Sequence, residues 1–137
     1  MIIVSACLAG VKCRYDGKDN ATNNVIEMVK KGIAIPICPE QLGGLQTPRI
    51  PAEIYEGKVI NKKGENVTSQ FRRGAKETLR IAELANCHKA ILKQNSPSCG
   101  YGKIYDGSHT GRIIKGNGLT AKLLSKKGII ILTEEDL

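Results

Sequence analysis

Four short apolar runs constrain the fold of this chain more than anything else: MIIVSA at the start, IAIPIC from Ile33, KAILKQ from Lys89 and IIILTE from Ile129. None alternates polar with apolar residues as a strand with one wet face does. Each is nearly continuous, which is the pattern of a strand buried on both sides within a parallel sheet. The segments between them carry helical spacing. NNVIEMVKKG places Val25, Ile26 and Val29 ahead of a stop at Gly32. TSQFRRGAKETLRIAELANC repeats at Phe71, Ala75, Leu79, Ala82 and Ala85, with Thr68 or Ser69 as its cap, and LTAKLLSKKG carries leucines 119, 123 and 124. Strand and helix in alternation predict an α/β fold, a single three-layer Rossmann-like domain with a mostly parallel sheet of about four core strands. EIYEGKVIN, residues 53–61, predicts a small hairpin excursion around Glu56 and Gly57, and residues 95–118 are expected to form a loop.

With 137 residues and no repeat or shift of composition, one domain over residues 1–137 is expected. Twenty-one Lys and Arg against thirteen Asp and Glu give a formal charge of +8. That balance favours an anionic partner, a nucleotide, phosphate or RNA, or else serves only solubility. The charge lies in scattered pairs and aromatics make up 4%, which argues against a stacking platform for single strands. The apolar start is too short for a membrane span and lacks the basic lead of a signal peptide, so a cytoplasmic location is expected. In a reducing cytosol, five cysteines point to metal ligation, catalysis or burial rather than to disulfides.

The cysteine positions carry the chemistry. Cys7 follows the first strand, Cys38 ends the second, and Cys99 lies in KQNSPSCGYG after the third, where proline, serine and glycine prevent regular structure on both sides. Open parallel sheets bind ligands beyond the carboxyl ends of their strands, and a right-handed arrangement brings these three loops to that one edge. The paired spacings of structural zinc are missing, and the C-x5-C of Cys7 and Cys13 is not a ferredoxin pattern. Thiolates do hold iron–sulfur clusters, and three of them on a cubane leave one iron free of protein ligands.

Together, SACLAGVKCRYDG, PICPE, KQNSPSCGYG and GNGLTAKLL, in that order and spanning nearly the whole chain, resemble the DUF523 family, whose characterised members are thiouracil desulfidases. The resemblance implies a [4Fe-4S] cluster with Cys7, Cys38 and Cys99 as its three ligands and one open iron exposed to oxidants. It also implies non-redox removal of sulfur from a thiolated pyrimidine, a base or a nucleotide. Such hydrolysis needs a proton acceptor. Glu40 in CPE is the candidate for base or proton shuttle, against the alternative of a helix-cap or loop carboxylate paired with one of the many lysines. Ser98, with Ser96 as competitor, is the candidate to hold the ring or the attacking water, against plain turn chemistry around Pro97.

Cys13 has two alternatives, replacing one of the three ligands or acting as a neighbouring persulfide-forming thiol, and is placed outside the cluster. Cys87 is expected to be a buried helix residue, and His88 and His109 surface or loop imidazoles. Arg14 in the RYDG turn pairs with a phosphate or with Asp16. GNGLTA opens a helix with a G-x-G-x-x-A pattern, so Gly116 and Gly118 are candidates for an anion cradle or simply a helix cap. Two rival readings remain open: an RNA-associated module for thiolated tRNA, and a metal-free thiol or persulfide protein using Cys7 and Cys13.

Overall fold

A computed structural model describes all of residues 1–137. The strands β1 (Ile2–Ser5), β2 (Ala34–Ile37), β5 (Lys89–Leu92) and β8 (Ile130–Thr133) form a parallel sheet in the order β2-β1-β5-β8. The expected four-stranded core and its α/β class are therefore present. Pro36 sits in β2, an edge of the sheet, the one kind of strand in which a missing N–H is tolerated.

Side chains alternate between two apolar layers, as a period of two requires. Ile3, Ala90, Leu92 and Ile131 point to one face, where Ala82, Ala121 and Leu124 cover them. Val4 and Ile91 point to the other, where they meet Val25 and Leu8. The first cover comes from α3 (Thr68–Leu84) and α4 (Leu119–Lys126), the second from α1 (Asn23–Lys30). The chain thus forms the three layers that its hydrophobic pattern predicts.

Two details differ from the sequence reading. Neither Thr68 nor Ser69 caps α3. The Asn66 side chain accepts from the Thr68 backbone N–H at 3.0 Å, while Thr68 Oγ1 accepts from the Val59 N–H at 2.8 Å and ties the helix to a hairpin. That hairpin is β3 (Ala52–Tyr55) with β4 (Lys58–Asn61), and its turn has φ of 49° at Glu56 and 77° at Gly57, the left-handed pair a two-residue hairpin needs. The second difference is larger. Residues 95–118 hold a further hairpin, β6 (Tyr101–Tyr105) with β7 (Ile113–Asn117).

Strand order fixes where a site can lie. From β1 the chain moves to one side, to β2, and from β5 to the other, to β8. The connections diverge between β1 and β5, which opens a crevice beyond their carboxyl ends. A short helix, α2 (Pro39–Leu42), follows β2 at the same edge. It lies hard against α3 through two glycines: a methyl group on Gly43 would strike the Gln70 carbonyl, and one on Gly74 the Pro39 carbonyl.

Candidate functional site

Beyond this edge lies a cavity of about 470 Å³. Its lining includes Cys7, Cys38 and Cys99, each from the connection that follows a different parallel strand, and also Cys13. Cys7 rides a single helical turn, Ala6–Ala9, directly after β1, and Cys38 sits between β2 and α2. Cys99 occupies a loop clamped from behind. The N–H groups of Gly118, Leu119, Thr120 and Ala121 at the start of α4 go to the carbonyls of Gly100, Pro97 and Ser98. A methyl group on Gly118 would strike Ser98 and Cys99 backbone. The glycine pattern at 116–118 therefore docks the Cys99 loop, and the structure does not bring Gly116 or Gly118 to the cavity.

All five cysteines are free. Burial raises the thiol pKa of Cys7, and pushes that of Cys99 up to about 12. Cys13 differs from the sequence reading in its partner. Its hydrogen-bond partner is Cys38, not Cys7: the Cys38 thiol donates to the Cys13 carbonyl at 3.9 Å, and the closeness of the two thiols lowers the Cys38 pKa to about 7 and raises that of Cys13. Cys87, 5% exposed, lies in the apolar core just past the end of α3, away from the cavity.

A hydrogen-bonded chain runs beside the thiols, and its direction follows from counting protons. Ser96 Oγ accepts from the backbone N–H of Cys99 at 2.7 Å and of Ser98 at 3.2 Å, so its own proton points to Ser98 Oγ, 3.0 Å away. Ser98 Oγ in turn donates to Glu40 Oε2 at 2.9 Å, since a carboxylate can only accept. The other carboxylate oxygen, Oε1, accepts from Arg49 Nε at 3.0 Å. Glu40 is held by the packed α2 helix and its side chain is 17% exposed. The sequence-predicted trio of Glu40, Ser98 and Ser96 thus forms one hydrogen-bonded chain beside Cys99, with Ser98 Oγ 3.5 Å from its sulfur.

The opposite wall comes from the two hairpins. Glu53 of β3, buried, accepts the backbone N–H groups of Gly107 at 3.0 Å and His109 at 3.1 Å, and the His109 ring stands 3.6 Å from it. Tyr105, His109 and Lys62 line the cavity from this side. His109, read in sequence as a loop imidazole, is on a loop, but it faces inward with a side chain 17% exposed. His88 is exposed. Arg14 lines the rim and takes the second of its expected partners, Asp16, at 2.8 Å. Arg49 and Glu53 were not among the sequence candidates. The only local signal for Arg49 is a cation boxed between prolines in TPRIP.

The donor set fits an iron–sulfur cluster. Four thiols line one cavity, and burial keeps Cys7 and Cys99 protonated until a cationic centre draws the protons off. No three His, Cys, Asp or Glu groups stand close enough to share a single metal ion. Cluster ligands bind separate irons and need wider spacing than that.

Fold and site define a doubly wound α/β protein with a thiol-lined cavity at its switch point. The profile of the 2-thiouracil desulfurase family matches residues 2–136, and the chain belongs to that family. It is 43% identical over 147 residues to the uncharacterized protein YbbK of Bacillus subtilis (strain 168), covering 100% of this chain and 97% of that one. Among solved structures it resembles the [4Fe-4S]-dependent thiouracil desulfidase TudS, with a TM-score of 0.95 and 42% identity over 99% of this chain and 91% of the other. No helix is long and apolar enough to cross a membrane.

Proposed function

We propose that this protein is a [4Fe-4S]-dependent desulfidase that converts a thiouracil, as base or nucleotide, to its uracil form with release of sulfide. The observation that carries this reading is the meeting of Cys7, Cys38 and Cys99 at one cavity beside the Ser96–Ser98–Glu40 relay. Family membership and the likeness to TudS support it. Cys7, Cys38 and Cys99 are the ligands in this reading, each from a different sheet connection. Cys13 stays a neighbour outside the ligand set, its carbonyl accepting from the Cys38 thiol.

The reaction is a hydrolysis. Water's oxygen replaces sulfur on the ring carbon, the sulfur leaves as sulfide with water's protons, and no electrons are gained or lost. When bound, a cubane on three thiolates supplies one iron without a protein ligand, a Lewis acid with affinity for sulfur. The chain's own residues manage the water. Because Ser98 gives its proton to Glu40, its remaining lone pair is free to accept from the attacking water and pass that proton to Glu40 Oε2. The hairpin wall shields the ring from bulk solvent, with Tyr105 and His109 facing it.

The lining cations bear on the substrate. Arg14, Arg49 and Lys93 are paired with Asp16, Glu40 and Glu134, while Lys62 stands in no ion pair. One unpaired cation at the mouth suits a single phosphate better than a nucleic-acid backbone, and the small-molecule reading is favoured over an RNA module. Anaerobic reconstitution with iron and sulfide, followed by loss of the 4-thiouracil absorption band and detection of sulfide, tests the activity. Comparing free base, monophosphate and thiolated tRNA in that assay assigns the substrate. A preference for tRNA with steep salt dependence would favour the RNA module.

A further inference from the structure

We infer that Arg49 is a positioning residue for desulfuration, acting through Glu40; the inference rests on the function proposed above and adds a member to its machinery. Arg49 precedes β3 in the loop between Pro48 and Pro51, and its side chain is 9% exposed. Its guanidinium reaches four acceptors: Nε to Glu40 Oε1 at 3.0 Å, Nη2 to the Cys13 carbonyl at 2.8 Å, and Nη1 to Thr47 Oγ1 at 2.9 Å and the Gln46 carbonyl at 3.2 Å. The backbone N–H of Arg49 also binds the Tyr15 carbonyl at 2.8 Å. A planar fork held at that many points has no freedom to swing, so the oxygen it holds on Glu40 is fixed as well.

That fixation decides the proton path. With Oε1 committed to Arg49, Oε2 is the oxygen that meets Ser98. Ser98 has a second acceptor within reach, Cys99 Sγ at 3.5 Å, and with Glu40 misplaced its hydroxyl would turn to donate there instead. Arg49 thereby fixes the relay's direction, from Ser96 through Ser98 to Glu40, and does so without needing contact with the substrate. Its bonds to Cys13 and Tyr15 also tie the loop after Cys7 to α2, so a purely structural role has to be separated by experiment.

The test uses full-length protein reconstituted anaerobically, with iron per chain, kcat and KM measured on a thiouracil. Arg49→Ala should keep its iron, hold KM within about threefold and lose about 10²-fold in kcat, the scale of a lost proton-transfer group. Arg49→Lys, which keeps the charge and folds more safely, should lose about tenfold. Millimolar guanidinium should restore part of the kcat of Arg49→Ala. The decisive comparison places Arg49→Ala in a Glu40→Gln background. There it should cost less than about threefold, because a residue acting through Glu40 has nothing left to position. Equal losses in both backgrounds, a wild-type kcat in Arg49→Ala, or loss of iron from both Arg49 variants would overturn the assignment. Wild-type protein that holds iron but never desulfurises would instead sink the proposed function itself.

Discussion

The floor and the wall of the cavity are built on different principles. The floor consists of loops leaving a buried parallel sheet, and it carries the thiols and the Ser98–Glu40 pair at the ends of strands whose register is fixed by two apolar layers. The wall consists of two antiparallel hairpins, β3–β4 half-buried and β6–β7 mostly exposed, joined through the Glu53 carboxylate. A centre whose sulfurs must stay in place belongs on the rigid part, and groups that sort substrates belong on the part that tolerates change. On this account substitutions in the floor remove iron or kcat, while substitutions in the wall change KM.

The largest expected effect is Cys99→Ser. Replacing this proposed ligand at the clamped loop should abolish both iron retention and desulfuration, read by iron analysis and by the brown absorbance at about 400 nm expected of cysteine-bound clusters. Glu40→Gln comes next: iron stays, and kcat falls by about 10²- to 10⁴-fold. Loss of iron in that variant would break the division between ligands and relay. Gly43→Ala probes the support beneath both. Its methyl group would collide with the Gln70 carbonyl, and urea unfolding should show a loss of about 1–3 kcal/mol.

Wall substitutions should be milder. His109→Ala should raise KM about three- to tenfold, the worth of one hydrogen bond, with kcat little changed. A kcat collapse there would show that the wall takes part in the chemistry. Cys87→Ser, in the core away from the cavity, should leave iron and turnover near wild type, the smallest effect of the series.

The same division explains how much could be read from the sequence. The floor was legible because continuous apolar runs mark buried strands, and the residues directly after a buried parallel strand lie at the binding edge. Cys7, Cys38 and Cys99 needed no more than that to be brought together. The wall was legible only in part. Glu56-Gly57 announces its turn, since both residues must take positive φ. The β6–β7 hairpin does not announce itself: its strands carry Gly102, Lys103 and Gly116 among exposed residues, and its loop, with Asp106 and Ser108, fits no short-turn pattern. Arg49 and Glu53 were invisible for another reason. Each owes its place to partners outside its own local segment, Cys13 and Glu40 for one, Gly107 and His109 for the other. The GNGLTA glycines illustrate the opposite error, a familiar local pattern whose N–H groups are spent on the Cys99 loop.

Whether three sulfurs, and only three, anchor an inorganic centre that keeps a place for substrate is answered most directly by Mössbauer spectra of ⁵⁷Fe-reconstituted protein, with and without 4-thiouracil, for wild type and Cys13→Ser. One iron site should change on adding substrate while the other three hold still, in both proteins alike. Spectra indifferent to substrate, or a cluster that vanishes with the Cys13 thiol, would contradict the account.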